Sequence, residues 1–196
     1  MKKAILMFLI LSISTISTVA QASTPKSGTV VFVGVNVIPM DKERVLMNQT
    51  VLVRNGLILV VGDTGRTKLK LPKDAQIIDG TWKFLIPGLT DMHVHLFTDD
   101  EFPDGFAEDE FKIMIAHGVT TIRLMTGTPE QLVLRSKGAK EEILAPTIYA
   151  ASPQFTGRKS SNAYVVTTEP EARAAVRKSK QDGYDFIKVT TFLQPE

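Results

Sequence analysis

Short apolar stretches separated by polar breaks occupy the first part of the chain and predict extended strands. Asn55-Gly56, between two of these stretches, is the residue pair typical of a tight hairpin. A charged, loop-rich segment follows the hairpin and leads to one further short apolar run. The pattern predicts a small antiparallel β unit with strands at Thr29 to Ile38, Gln49 to Arg54, Leu57 to Val61 and Ala75 to Ile78.

The pattern changes after Pro87, where strand-like runs begin to alternate with stretches of helical period. Gly118 and Gly183 close two helical stretches, Pro129 stands in the first turn of another, and Thr168 is a candidate N-cap. Strands that alternate with helices indicate parallel βα units. The predicted elements are a helix at Asp104 to His117, a strand at Val119 to Met125, a helix at Pro129 to Lys137, a strand at Thr147 to Ala151, a helix from Thr168 to Asp182 and a strand at Asp185 to Thr190.

The first residues have the pattern of a signal peptide. Met1-Lys2-Lys3 is positively charged, an apolar run follows from Ala4 to Ile13, and small residues close the segment at Ala20-Gln21-Ala22. We expect cleavage near Ala22 and export to the periplasm or the medium; an uncleaved membrane anchor is the alternative. The predicted division of the chain is a signal peptide at 1–22, a β segment at 23–84 and a βα segment at 85–196.

Composition narrows the class of partner. The chain has 196 residues, a formal net charge of +2, 43% hydrophobic residues and no cysteine, which is typical of a globular protein without disulfides. Basic and acidic residues are interspersed along the chain, so the basic stripe that nucleic-acid binding requires is absent from the sequence. A small-molecule partner is therefore expected, and a nucleic-acid partner is not.

The candidate chemistry lies in Asp91-Met92-His93-Val94-His95, which follows a Pro-Gly turn. Residues two apart in a strand project to the same face, so His93 and His95 would direct two imidazoles at one point. Imidazole nitrogen is a preferred zinc ligand. Asp91, also on this face, would act as an outer-sphere hydrogen-bond acceptor for a ring N–H.

These residues resemble the metal-binding first strand of the amidohydrolase superfamily, especially its imidazolonepropionase-like and Xaa-Pro-dipeptidase-like members. The resemblance covers nearly all of the chain after residue 22 and is carried by residues 51–56, 75–80, 86–96 and 117–123. It implies an α/β protein in which a small N-terminal β-sandwich segment precedes the first half, about four βα units, of a TIM-type (β/α)8 barrel. It also implies a metal-dependent hydrolase of carbon–nitrogen bonds, in an amide or a cyclic amide, that uses metal-activated water.

The resemblance further implies one or two divalent metal ions, with zinc expected, and a carbamylated lysine that bridges them. Lys188, in Phe186-Ile187-Lys188-Val189, stands where that lysine would be. The alternative is a strand-end lysine that reaches into solvent. His117 ends a predicted helix, and we interpret it as a structural residue rather than a ligand. Where relatives often have an acidic residue after Arg123, this chain has Leu124.

Two later histidines and a general-base Asp are also implied by the resemblance, and no His follows His117. We therefore expect either a truncated sequence or another chain that supplies the remaining half. The expected protein partner is a second copy in a homo-oligomer or a complementary half-barrel chain. The alternative function is a catalytically incomplete fragment or split-gene half that binds metal or a complementary chain without turnover. A secreted β-rich binding domain would explain only the first segment. The loop at residues 158–162 would meet the carboxylate of a dipeptide substrate, or would simply be solvated.

Overall fold

The computed structural model describes residues 28–96 and 105–193. The chain divides into two compact units, Met1–Leu85 and Ile86–Glu196, which are treated separately below. The predicted signal peptide at 1–22 lies outside the described residues. Within the described ranges, no helix combines the length and the apolar character needed to cross a membrane.

The first unit is built on one mixed sheet. Its strands are β1 (Thr29–Val37), β2 (Leu46–Arg54), β3 (Leu57–Asp63), β4 (Gln76–Asp79) and β5 (Phe84–Leu85), in the order β3-β2-β1-β4 with β5 also beside β1. Asn55 and Gly56 both have positive φ, at 50° and 75°, which is the geometry of the predicted hairpin turn. The prediction of an all-antiparallel unit is wrong, because β4 and β5 run parallel to β1. The charged loop after β3 takes the chain past β2 and β1 to the other edge of the sheet, where β4 begins.

The second unit contains a parallel sheet with helices between its strands. In chain order the elements are β6 (Leu89–Val94), α1 (Phe106–Ala116), β7 (Val119–Leu124), α2 (Pro129–Ala139), β8 (Thr147–Thr156), β9 (Ala163–Val165), α3 (Glu169–Asp182) and β10 (Phe186–Val189). The strand order is β10-β8-β7-β6, and β9 pairs with β8. All of these pairs are parallel, as the βα alternation predicts.

Side-chain caps set where two of the helices begin. The Thr128 hydroxyl accepts a hydrogen bond from the Gln131 backbone N–H at the start of α2. Thr168 and Glu171 form a complete capping box at the start of α3, and Gly183 ends that helix with φ 94°. Because these signals are local, the sequence predicts both helices to within about two residues.

The two faces of the parallel sheet differ in burial. One face packs under helices α1 and α2, and its buried side chains are Val94, Leu96, Phe111, Ile122, Leu124 and Ile148. Several large side chains elsewhere on the strands stay exposed; Tyr149 retains 45% of its accessible surface and Phe186 retains 44%. Because the strands are parallel, their carboxyl ends lie at one edge of the sheet, and His93 and His95 are found there.

Candidate metal centre

His93 and His95 converge at the carboxyl end of β6. Val94 and Leu96 are buried at 6% and 7% exposure, whereas both histidines are exposed. The Nε2 atoms of the two histidines lie 3.3 Å apart, and the ring planes are tilted by 46°. The alternation of a strand therefore brings the two imidazoles to one point, as the spacing predicts.

The separation of the two nitrogens matches the requirement of a tetrahedral metal. Zn–N bonds of about 2.05 Å that meet at the tetrahedral angle place two nitrogens about 3.3 Å apart. The same distance also allows one neutral ring to donate its Nε2–H to the other ring. The donor set thus fits a divalent ion, which would replace the proton shared by the two rings.

A bulge just before the pair changes the position of Asp91. Asp91 is opposite Ile122 and Val94 is opposite Leu124, so β6 has one extra residue at this level. The regular alternation that would place Asp91 on the histidine face is interrupted there. The Asp91 carboxylate accepts the backbone N–H of His93 at 2.9 Å, and this contact fixes the main chain of His93. A hydrogen bond donated by an imidazole N–H to the Asp91 carboxylate stays a prediction.

Arg123 supports the same bulge from the neighbouring strand. Its Nε donates to the carbonyl oxygen of Met92 at 2.8 Å. Its guanidinium also lies 5.9 Å from the centre of the Phe186 ring. Arg123 therefore links the histidine strand to the strand that carries Lys188. The sequence analysis did not identify it as a site residue, although its place at the end of an apolar strand is a usable signal.

Lys188 lies close enough to the pair to influence it electrostatically. Partial burial of the ring, the neighbouring His93 and the positive charge of Lys188 all lower the pKa of His95 below its ordinary value of 6.5. The lowered pKa favours the neutral imidazole, which is the form that binds metal. His93, His95 and Lys188 thus all lie toward the carboxyl ends of strands in one parallel sheet.

Ser152 and Gly127 form the polar framework between these strands. The Ser152 hydroxyl accepts the backbone N–H of Lys188 at 3.1 Å, and the Ser152 carbonyl accepts that of Gly127 at 3.3 Å. A Cβ at Gly127 would lie 1.9 Å from the carbonyl oxygen of Ala151, so only glycine fits there. The sequence analysis missed both residues; the signal for Ser152 is the Ser-Pro pair inside a strand.

The other candidates are elsewhere in the unit. His117 caps the end of α1, where its Nδ1–H donates to the carbonyl oxygen of Ile113 at 2.8 Å. The Arg158 guanidinium lies 3.3 Å from the centre of the Phe192 ring. Among residues 28–96 and 105–193, no three His, Cys, Asp or Glu side chains form a group that could hold a metal ion. A two-histidine pair with a lysine is what this part of the chain provides.

Comparison with known proteins identifies the family. The model of the amidohydrolase family matches residues 84–193, which include all of the site described above. The chain is 36% identical over 88 residues to an enamidase from Eubacterium barkeri, a match that covers 45% of this chain and 22% of the enamidase. It is 26% identical over 117 residues to an adenine deaminase from Staphylothermus marinus, covering 59% of this chain and 18% of the deaminase.

Solved structures share the fold. A proposed prolidase from Bifidobacterium longum superimposes with a TM-score of 0.73 at 26% identity, over 87% of this chain and 42% of that one. A Xaa-Pro dipeptidase with methionine bound in its active site gives a TM-score of 0.66 at 21% identity, over 83% of this chain and 47% of that one. The chain thus spans less than half the length of these structures and less than a quarter of the enamidase and deaminase.

Proposed function

The chain belongs to the amidohydrolase family, and we propose that it supplies His93, His95 and Lys188 to the metal centre of a hydrolase of carbon–nitrogen bonds. The observation that carries the proposal is the 3.3 Å separation of the two histidine Nε2 atoms, which suits two ligands of one tetrahedral ion. The place of Lys188 near the end of β10, in the same parallel sheet as β6, supports the same assignment.

Each residue has a separate role in this proposal. His93 and His95 would hold one divalent ion, with zinc expected, through their neutral Nε2 atoms. Bound there, the ion would supply Lewis acidity toward a water nucleophile and the scissile carbonyl. Asp91 accepts the backbone N–H of His93, so the main chain that carries the first imidazole is held before any ion arrives.

Lys188 would act as a carbamate. An ammonium with a pKa of about 10.4 would repel a cation, whereas a carbamate is an anion with two oxygens that can bridge two ions. The lysine first loses a proton to solvent; its nitrogen pair then forms an N–C bond to dissolved carbon dioxide, and one C=O pair moves to oxygen. Loss of the second N–H proton leaves the neutral-nitrogen carbamate anion and two protons in solution.

We extend the same proposal to the architecture of the whole protein. The four parallel strands would be the first half of a (β/α)8 barrel, and the mixed sheet would be part of a β-sandwich. Two further histidines and a general-base Asp would come from a continuation of the polypeptide or from a complementary chain. Residues 1–22 would direct the protein out of the cytoplasm, and an N-terminal sequence of the exported protein tests whether cleavage occurs near Ala22.

The substrate class follows from the relatives. An enamidase, adenine deaminases and prolidases are all similar to this chain. A small molecule with an amide, cyclic amide or dipeptide bond is the class we propose for this protein. A panel of Xaa-Pro dipeptides, N-acyl amino acids and cyclic amides tests it. Hydrolysis that persists unchanged in a His93→Ala/His95→Ala variant would contradict the assignment of the site.

Metal binding provides the direct test. We expect the full chain to bind zinc, and to bind cobalt with the visible absorption of a tetrahedral nitrogen-containing site. His93→Ala/His95→Ala should lose both, whereas the control His117→Ala should keep both, because His117 binds the Ile113 carbonyl at a helix end. Equal metal content in the double variant and the parent chain would refute the pair as ligands.

A further inference from the structure

We propose that Ser152 is a positioning residue that sets where Lys188 stands relative to His93 and His95. The inference rests on the proposed function, because it concerns the lysine of that site. Ser152 lies on β8, which pairs with β10, and it has no exposed surface. Its hydroxyl accepts the backbone N–H of Lys188 at 3.1 Å and donates to the carbonyl oxygen of Pro153 at 2.8 Å.

A register shift explains why a side chain makes this contact. Phe186 is opposite Ala151, but Lys188 is opposite Gln154, so β8 has one extra residue at this level. Pro153, within this interval, has no N–H to donate and is tolerated in a strand mainly at such a bulge. The Ser152 hydroxyl therefore takes a position that a backbone carbonyl would occupy in a regular ladder.

The hydrogen bond from the Lys188 N–H to the Ser152 hydroxyl helps to fix which residue of β8 lies opposite Lys188 and to which face of the sheet the lysine side chain belongs. Side chains alternate along a strand, so a one-residue change of register would turn Lys188 to the opposite face of the sheet. Phe186, two residues earlier, contacts Tyr149 at a ring-centre distance of 6.3 Å and marks the face that Lys188 shares. Holding the Lys188 N–H on Ser152 keeps the bulge in β8 and keeps the lysine on the side of the histidines.

The start of β10 is held independently of Ser152. The Asp185 N–H donates to the Ala150 carbonyl at 2.8 Å, and the Asp185 carboxylate accepts the Ala150 N–H at 2.9 Å. Two residues after Lys188, the Thr190 N–H donates to the Phe155 carbonyl at 3.0 Å. Loss of the Ser152 hydroxyl should therefore leave β10 attached at both ends, while the main chain at Lys188 loses the hydrogen bond that holds it opposite the bulge. This separates a positioning role from a general contribution to folding.

The experiment combines carbamate detection with a double-mutant cycle. The full chain, Ser152→Ala, Lys188→Ala and the combined variant are incubated with 13C-bicarbonate, the carbamate carbon is measured by NMR, and zinc affinity is measured by titration. We expect Ser152→Ala to lower the carbamate signal several-fold and zinc affinity by about 10-fold, the low end of effects at outer-sphere partners. In the Lys188→Ala background, Ser152→Ala should have no further effect on zinc affinity.

Ser179→Ala is the matched control. Ser179 is a serine with no exposed surface, and its hydroxyl has no hydrogen-bond partner among residues 28–96 and 105–193. It should leave carbamate and zinc binding unchanged. Ser152→Cys fills the same space with a weak acceptor and should reproduce the loss if the alanine variant fails to fold.

The outcomes separate the two proposals. The positioning role would be overturned if Ser152→Ala lowered zinc affinity equally in the parent chain and in Lys188→Ala. It would also be overturned if Ser152→Ala changed neither the carbamate signal nor zinc affinity in the parent chain. A parent chain without a carbamate signal would overturn the bridging role of Lys188. In that case a Ser152 effect on zinc affinity that disappears in Lys188→Ala would still support positioning. Zinc binding that survives His93→Ala/His95→Ala would overturn the site itself.

Discussion

Asp185 is expected to stabilise the parallel sheet by joining elements that are separate in sequence. Its Oδ2 accepts from Arg135 Nη1 of α2 at 2.7 Å and from the backbone N–H of Ala150 at 2.9 Å. The Arg135 Nη2 also donates to the Gly183 carbonyl at 2.9 Å. These contacts connect α2, the end of α3, β8 and the start of β10, which are separate in sequence. Asp185→Ala should therefore weaken a tertiary junction rather than one element.

The expected loss of unfolding free energy depends on how exposed the Arg135 and Asp185 side chains are. A hydrogen bond to a charged group contributes about 1.5–3 kcal/mol, and the lower limit applies because Arg135 and Asp185 keep 28% and 34% of their side-chain surface. Two such bonds predict a loss of about 3 kcal/mol in the free energy of unfolding. For a chain of this length, that loss corresponds to a fall in Tm of roughly 6–12 °C. Asp185→Asn keeps a neutral acceptor and should lose about half as much.

The assay is chemical denaturation of the four members of an Arg135→Ala/Asp185→Ala cycle. A second cycle, Arg173→Ala/Glu169→Ala, is the control, because this exposed pair within α3 has the same chemistry at 2.7 Å. We expect a coupling energy of about 1 kcal/mol or more for the tertiary pair and about 0.3–0.5 kcal/mol for the helical pair. Equal coupling in the two cycles would refute the argument from partial burial.

Three further predictions concern single residues. Gly127→Ala should lower the free energy of unfolding by about 3 kcal/mol or more, because its Cβ would lie 1.9 Å from a backbone oxygen. Such a loss corresponds to a fall in Tm of roughly 6–12 °C. A Tm that changes by less than about 2 °C would contradict the prediction. Gln131→Met should be close to neutral in denaturant titrations. The buried Gln131 Oε1 has no hydrogen-bond partner among the residues that the structure describes, and removal of that cost should offset the loss of the 3.5 Å hydrogen bond that Gln131 Nε2 donates to the Leu96 carbonyl. A loss above about 2 kcal/mol would argue otherwise. The backbone N–H of Thr167 donates to Glu171 and lowers the pKa of that carboxyl below its ordinary value of 4.5. The charged carboxylate therefore stabilises the fold fully above pH 4.5, and this stabilisation is lost as the pH falls through the lowered pKa. Parent protein should therefore lose more Tm than Glu171→Gln between pH 7 and pH 3.

Local signals explain which parts of the fold the sequence predicts well. The capping box at Thr168 and the terminating Gly183 place α3 correctly because both act within one helical turn. The His93 and His95 pair is predicted for the same reason, since two residues of one strand suffice to bring the rings together. Lys188 is more than 90 positions away along the chain, and only the family resemblance connects it with the pair.

Non-local pairing explains what the sequence analysis missed. Pro153 suggests that β8 ends at Ala151, but the strand continues to Thr156 because β9 and β10 pair with its second half. The parallel placement of β4 beside β1 likewise depends on a partner far away in the sequence. In both cases a local signal, a proline or a short apolar run, suggests a different structure. Pairing with residues far away in the sequence determines the outcome, and a local sequence pattern cannot reveal it.

Two of the three register shifts in the parallel sheet lie beside the candidate site residues; the third is between Leu89 and Thr90. The pairing of β7 with β8 is regular, whereas β6 has one extra residue between Asp91 and Val94, and β8 has one extra residue opposite the interval from Phe186 to Lys188. A bulge rotates the residues after it relative to the regular pleat, and each shift is held by a side chain hydrogen-bonded to the main chain. The regular centre therefore provides the packed support, and the two outer strands aim the side chains. Because both shifts are fixed by hydrogen bonds within the protein, the fold itself holds the main chain of the pair and of the lysine, which would lower the cost of organising the proposed ligands around an ion.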